Sequence, residues 1–402
     1  MARTTADFQS GTRVSDYISL GILTKAFPRD RIDRILLESG RSSIRERSLP
    51  AHVTMHYVIA LALFMQQSYG AVLRCLFEGI RWLRCNGVRI AYASPSAISR
   101  ARERLGVEPV KQLCEETVAP VAEPGTPGAW YRGWRVISLD GSTLDVADTK
   151  ANAEYWGRQS LKKGQTAFPQ MRFVSLVENG THVLFATEFG PYATAEVRLA
   201  DLLLDKLCGE MLCIADRGLF GCERWERARA TGAELLWRVK RNIRFKEIER
   251  LADGSFLATL PEQTRKSREA GHPTIVRVID YALLHEETDE PFYRVITTIL
   301  DHELAPAHEL AVLYHERWEI ETAFDELKTH LRGARIVLRS KTPEMVKQEM
   351  YGLLMAHYAI RELMHQAACL GEVDPDKLSF VHSVNTVRVK MPLSHCFPPS
   401  GH

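Results

Sequence analysis

What this chain lacks narrows its possibilities first. Its eight cysteines (Cys75, Cys85, Cys114, Cys208, Cys213, Cys222, Cys369 and Cys396) are scattered, with no CxxC and no paired Cys/His spacing. That excludes a zinc-finger type of site and leaves buried free thiols in a reducing compartment as the simplest account. The N-terminus, MARTTADFQSG, has no apolar signal-peptide core. The most apolar run, VIALALFM (58–65), is far shorter than the ~20 residues needed to cross a bilayer and reads as a core helix. A soluble, cytoplasmic protein without a membrane partner is expected. No internal repeat is present, which excludes a solenoid. Neither sign of charge dominates: 52 Lys and Arg face 50 Asp and Glu, a net of +2, so the whole molecule is not a polycation.

The charge is uneven along the chain, however. Residues 1–123 hold 17 Lys/Arg against 12 Asp/Glu, and residues 240–269 hold 8 against 5. Modest basic regions of this kind suit a nucleic-acid partner. With 402 residues and a hydrophobic content of 45%, the chain has ample core for two or three domains.

Residues 14–121 carry helical apolar spacing in VSDYISLGILTKAF, DRIDRILLES, VTMHYVIALALFMQQ and YGAVLRCLFEGIRWLR. SPSAISRARERLG (94–106) predicts a further helix, with Ser94 as its cap and Pro95 in its first turn. It displays Arg100, Arg102 and Arg104, either as the reading helix of a helix-turn-helix or as a solvated surface helix. VAEPGTPGAW (121–130) has linker composition. An all-α N-terminal domain over 1–123 is therefore expected.

The texture then changes. WRVISLD (134–140) predicts a strand ending in Asp140, and 171–190 a hairpin turning at Asn179-Gly180. Residues 202–218 predict a helix and then a strand ending in Asp216, and ELLWRVK (234–240) another strand. Residues 241–300 read as β-rich, Pro343 to Ala368 as a helix, and MPLSHCFPPSGH as an unstructured tail. Strands and helices in mixed order give an α/β fold class.

LYHERWEIETAFDELKTHLRG (313–333) reads as one helix. Ile320, Ala323, Phe324 and Leu327 form its apolar arc, with Glu316, Glu319 and Glu326 on the solvent side. Tyr314, Arg317, Glu321 and Lys328 fall within about 60° of one another. The plainer account of such charges is a solvated face with i,i+4 support. Their place at the edge of the core arc, between Phe324 and Trp318, instead suggests the wall of a cleft.

Asp140, Asp216 and Glu321 are separated by 76 and 105 residues, so only the fold could bring them together. Each aspartate taken singly reads as a turn or cap. Three converging carboxylates repel unless a cation enters, and oxygen-only ligands favour Mg²⁺ or Mn²⁺. Two such ions suit phosphodiester chemistry. Arg317 and Lys328 would then grip phosphates, and Tyr314 would hydrogen-bond or pack on a sugar or base. Asp145, Asp148, Glu319, Asp325 and Glu326 compete as ligands, while Asn152, Arg217 and Lys240 are candidates to line the cleft. A glycosidase would use the acids but leave Arg317 and Lys328 idle.

Tyr-x2-Arg-x3-Glu-x6-Lys, as Tyr314, Arg317, Glu321 and Lys328, resembles the signature of the insertion sequence four family of DDE transposases. DGSTLDVADTKANAEYWGR, ADRGLFG, LLWRVK, ERWEIETAFDELK and LRSKTPEMVKQEMYGLL are similar to its other conserved stretches, so the resemblance runs to about residue 380. It implies a ribonuclease-H-like catalytic domain over 130–372, with a β-rich insertion at about 241–305. It further implies a helical N-terminal domain that binds DNA ends, and a short tail over 373–402 where relatives often carry a longer basic one. By the same resemblance Asp140, Asp216 and Glu321 hold metal, and Tyr314, Arg317 and Lys328 contact DNA near the cut. The activity implied is metal-dependent cleavage at mobile-element ends and strand transfer into target DNA, by a dimer on double-stranded DNA. Some relatives pass through a hairpin and stack a flipped base on a tryptophan of the insertion. Residues 241–300 hold no Trp, leaving Phe245, Tyr281, Phe292 or Tyr293 as substitutes. A nuclease on the same core, or a catalytically inactive copy that binds the ends and regulates, would share most of these features.

Overall fold

The computed structural model describes residues 21–43, 49–83, 93–161, 164–260, 274–282, 292–334 and 336–390. The tail MPLSHCFPPSGH and the first part of VSDYISLGILTKAF lie outside them.

Among the described residues twelve strands follow one another: β1 (Trp130–Tyr131), β2 (Trp134–Asp145), β3 (Ser160–Leu161), β4 (Gly164–Gln165), β5 (Gln170–Glu178), β6 (Val183–Pro191), β7 (Met211–Ala215), β8 (Glu234–Arg238), β9 (Lys246–Arg250), β10 (Phe256–Thr259), β11 (Ile275–Ala282) and β12 (Phe292–Thr297). The main sheet runs β6-β5-β2-β7-β8-β12-β11-β10-β9, with β1 paired to β2. β2, β7 and β8 are parallel, while β5 and β6 run antiparallel beside them. This is the ribonuclease-H-like arrangement, a hairpin followed by parallel strands. The β-rich stretch is joined directly to it: β12 pairs antiparallel with β8, and β11, β10 and β9 carry the same sheet onward.

β2 passes beyond the predicted end at Asp140. It pairs with β5 as far as Asp145, whereas its pairing with β7 stops at Leu139 opposite Ala215. Asp140 is thus the first residue beyond the parallel pairing, and Asp216 is the residue after β7. Both stand at the carboxyl ends of adjacent parallel strands, where open α/β sheets form their crevices.

The helix Ala51–Leu63 is buried along nearly its whole length, as VIALALFM leads one to expect. It lies against the long helix Pro343–Gly371, and the two approach so closely that a Cβ on Gly352 would stand 2.5 Å from the Val58 carbonyl oxygen. The N-terminal helices and the β5–β6 hairpin share one hydrophobic core, which includes Val58, Leu61, Phe173, Phe324 and Leu353. The stretch after Gly371 is not wholly extended, because Phe380–Lys390 forms a helix packed on Pro343–Gly371.

The basic helix forms at Pro95–Leu105, and the Ser94 hydroxyl accepts from Ala97 N as its cap. Arg100 and Arg104 are exposed, but Arg102 is not available to DNA. It falls on the face of Ile98, Ala101 and Leu105 and is buried with them. Its guanidinium donates to Gln348 Oε1 at 3.2 Å, Ser340 Oγ at 3.1 Å and the Met345 carbonyl at 2.8 Å. It joins two helices rather than reading a groove.

Removing a buried hydrogen-bonded guanidinium leaves its partners unsatisfied. Arg102→Ala is expected to lower stability by about 2–4 kcal/mol. Arg100→Ala should leave the urea unfolding midpoint where it is, and urea titration of both variants checks the contrast.

Candidate active site

The stretch 313–333 is not one helix. Ala307–His315 ends at Glu316, Arg317 starts a second helix over Trp318–Asp325, and Glu326–Leu331 winds as a π-helix. Such widened turns recur at functional sites. Despite the breaks, all four stripe residues face the carboxyl ends of the parallel strands.

The Trp318–Asp325 helix is seated by Ile320, Ala323 and Phe324, whose ring meets Phe173 edge-on at 5.1 Å. Arg317 links two of the predicted acids. Its Nη1 donates to Asp140 Oδ2 at 2.7 Å and its Nη2 to Glu321 Oε1 at 3.2 Å. Asp216 accepts from the Tyr314 hydroxyl at 3.2 Å and has the Arg238 guanidinium 3.7 Å away. Lys328 Nζ donates to Ser142 Oγ at 2.8 Å, two residues along β2 from Asp140. The structure therefore joins Asp140 and Glu321 through Arg317, pairs Asp216 with Tyr314 and sets Lys328 on Ser142, all beside the carboxyl ends of β2 and β7.

The electrostatics reflect crowding of like charge. Burial pushes the Asp140 carboxyl up to about 6, with Glu196 and Asp216 adding to the rise and Arg317 opposing it. Burial, then the Asp216 charge, holds the Tyr314 phenol far above its usual range, so it stays a donor. Burial, then Arg332, lowers the Lys328 ammonium. The Glu321 side chain is the most open of the three acids, 44% exposed against 21% for Asp140 and 30% for Asp216.

The competing acids are engaged elsewhere. Asp145 accepts from Gln170 at 2.8 Å, Asp148 pairs with Arg158, and Asp325 lies 3.1 Å from His330. Glu319 and Glu326 are not on a solvent face. Glu319 accepts from Gly180 N, and Glu326 is buried among His182, His357 and Arg361. Burial acts against the Glu326 charge, but hydrogen bonds from His182 and His357 and the Arg361 charge outweigh it and hold its carboxyl well below the usual range. Within the same network, ligand atoms of His182, Glu319 and Asp376 lie within 4.8 Å of one another. Glu319 stands about 200° around its helix from Glu321, so this group faces away from the three acids.

Asn152 does not line the cleft. It is buried and donates to the Ala147 and Ser340 carbonyls. Arg217 and Lys240 do line one, a cavity of about 550 Å³ also bounded by Arg238, Arg241, Phe292, Tyr293 and Arg294. Arg238 lies 4.1 Å over the Tyr293 ring, and Phe292 is 56% exposed beneath Arg241. Arg238 and Ser142 are site residues that sequence reasoning missed. The signal for Arg238 was its alternation with buried Trp237 in ELLWRVK.

Residues 17–115 match the insertion element 4 transposase N-terminal family, and residues 132–359 match the transposase DDE domain family. The chain belongs to the DDE transposases. It is 28% identical over 374 residues to the transposase InsG for insertion sequence element IS4 of Escherichia coli (strain K12), covering 91% of this chain and 82% of that protein. A cryo-EM structure of the piggyBac transposase synaptic complex with hairpin DNA overlays 96% of this chain and 83% of its own, at 11% identity and a TM-score of 0.49.

The chain is accordingly a DNA-binding, DNA-cleaving and strand-transferring transposase, and its DDE domain implies a divalent cation. The residues at hand fit such an ion. Asp140, Asp216 and Glu321 present only oxygen donors, the set that suits a hard cation. Among the described residues no helix is long and apolar enough to cross a membrane.

Because its carboxyl is raised, folded Asp140 keeps a proton between about pH 4 and pH 6 that the unfolded chain has released. Its contribution to stability therefore falls as pH rises through that window. In the presence of a chelator, the stability of Asp140→Asn relative to wild type should increase by about 1–3 kcal/mol from pH 4 to pH 7. Thermal melts of both proteins across this range test it.

Proposed function

We propose that Asp140, Asp216 and Glu321 are the catalytic metal ligands of this transposase, that Mg²⁺ or Mn²⁺ is the cation, and that two ions take part. The observation that carries this reading is the position of Asp140 and Asp216 at the ends of neighbouring parallel strands, with Arg317 joining Asp140 to Glu321. When bound, such ions activate a water or a 3′ hydroxyl and stabilise the leaving 3′ oxygen.

The chain's own groups do the rest. Near neutral pH Asp140 has released its proton and is an oxygen donor. The Tyr314 hydroxyl turns the Asp216 carboxylate by donating to it and does not ionise. Arg317 offsets the charge of Asp140 and Glu321 in the free protein, and its planar fork suits a phosphate once DNA is present. Lys328, held on Ser142, supplies a second cation along the same strand. The cavity bounded by Arg217, Arg238, Lys240, Arg241 and Arg294 holds the backbone of the element end, with Phe292 and Tyr293 offering faces for a base. Arg100 and Arg104, exposed on the capped helix, belong to the end-binding surface of the N-terminal helices. Joining two ends to one target requires both to be held together, so the active species is a dimer on DNA.

Supplied in trans to the gene's native flanking DNA, the wild type should cut at those flanks. Asp216→Asn and Glu321→Gln should each lose cutting by about a thousandfold or more while retaining gel-shift binding to the same ends. Cutting that survives in either variant would sink the assignment. Lys240→Ala and Arg241→Ala should weaken end binding across all sequences and each reduce the slope of log K against log salt by about 1, as measured by fluorescence anisotropy.

A further inference from the structure

A second polar cluster lies behind the helix Trp318–Asp325, where Glu319 stands about 200° around from Glu321. Three segments distant in sequence meet there. His182, the residue before β6, comes from the hairpin turn and Glu319 from the helix. Asp376 comes from the short 3₁₀ helix Pro375–Lys377, which packs on Pro343–Gly371. One ligand atom from each lies within 4.8 Å of the other two. A buried histidine is ordinarily a satisfied core residue, and one side of this ring fits that account. His182 is 5% exposed, and its Nδ1 lies 3.3 Å from Glu326 Oε1, with Arg361 Nη2 against both atoms.

The other side of the ring does not. Nε2 is buried and, among the described residues, has no hydrogen-bond partner. It nevertheless faces two carboxylates, with Asp376 Oδ1 3.3 Å and Glu319 Oε2 3.8 Å away. Asp376 is close enough to bond but stands off the direction a hydrogen bond requires. These separations are instead those of ligands around one ion. With metal–ligand bonds of about 2.0–2.1 Å, neighbouring ligand atoms of a tetrahedral site stand about 3.4 Å apart.

The surroundings suit an ion too. A metal-bound imidazole donates its other N–H to a carboxylate, which fixes the tautomer. Glu326 is that acceptor. It is held by His357 Nε2 at 3.2 Å and Arg361 Nε at 2.8 Å and takes Nδ1–H from His182, which leaves the Nε2 lone pair to Glu319 and Asp376. Three carboxylates, Glu319, Glu326 and Asp376, share the cluster with the guanidinium of Arg361, so a divalent cation balances their charge. We propose that His182 Nε2, Glu319 and Asp376 bind one Zn²⁺, with water in the fourth position on the side where Asp376 is 36% exposed. The mixed nitrogen and oxygen donors set this site apart from the oxygen-only centre, and Asp140 and Asp216 take no part in it. Bound there, the ion ties the hairpin turn and the segment after Gly371 to the helix that carries Glu321.

The test is Zn²⁺ titration of the chelator-stripped full-length protein by isothermal calorimetry, without DNA and with excess Mg²⁺ to occupy the oxygen-only centre. Wild type should bind one Zn²⁺ per chain. Asp376→Asn and Glu319→Gln, both isosteric, should each weaken binding by about tenfold or more, whereas Asp216→Asn should stay within about twofold of wild type. Co²⁺ in place of Zn²⁺ should give the intense visible absorption of a tetrahedral site, lost in the same two variants. Zn²⁺ should raise the wild-type Tm, and the rise should shrink in Asp376→Asn, whose own Tm in chelator stays at the wild-type value. No Zn²⁺ uptake by wild type, or wild-type affinity in both Asp376→Asn and Glu319→Gln, would overturn the site. Uptake lost in Asp216→Asn but kept in the other two would move the ion to the oxygen-only centre and overturn it likewise.

Discussion

Arg317 bonds Asp140 on the sheet and Glu321 on its own helix, and this contact joins the two halves of the site. Without a cation between them, those carboxylates would push the helix from the strand ends. With it, the helix can be packed by apolar residues, Ile320, Ala323 and Phe324, while its polar edge stays over the crevice. The same guanidinium suits carboxylate and phosphate alike, so in the proposed function the group that bridges the acids in the free protein also meets DNA.

The helix Trp318–Asp325 is positioned from behind as well as in front. On its far side Glu319 caps the hairpin turn at Gly180, and Glu326 is gripped by His182, His357 and Arg361. His357 and Arg361 lie on the long helix Pro343–Gly371, which packs against Ala51–Leu63 through the gap left by Gly352. A buried charge of this sort adds little net stability, but removing one partner is costly. Its effect here is to hold one arrangement of hairpin, Trp318–Asp325 helix and N-terminal helices. Rigid support of this kind lets a site tolerate crowded carboxylates that would otherwise relax apart.

The β-rich stretch extends the sheet instead of forming a separate lobe. Its β12 pairs with β8, so Phe292, Tyr293 and Arg294 lie beside Arg238, which in turn approaches Asp216. Basic and aromatic groups are thereby carried to the edge of the acidic centre by backbone pairing alone. The result is a positive wall next to a negative one, the charge pattern expected of a site that holds a phosphate backbone while binding cations.

Much of this was legible along the chain. Strand and helix order, the hairpin at Asn179-Gly180, the Ser94 cap and the four-residue stripe follow from local periodicity and turn chemistry, which depend on near neighbours. Arg102 was half legible: its spacing from Ile98, Ala101 and Leu105 puts it on the buried face, but only Gln348, Ser340 and Met345, more than 200 residues away, show what satisfies it there. Glu319 and Glu326 were misassigned together: they stand about 20° apart on the helical wheel, and only Gly180, His182, His357 and Arg361, brought there by the fold, cover that side. The nearness of Asp140 to Asp216 and the bridge through Arg317 belong to the tertiary structure alone. The first depends on the parallel pairing of two strands whose last partners, Leu139 and Ala215, are 76 positions apart. Side-chain types and their spacing were set by the sequence; which of them share a few ångströms of space was decided by the sheet.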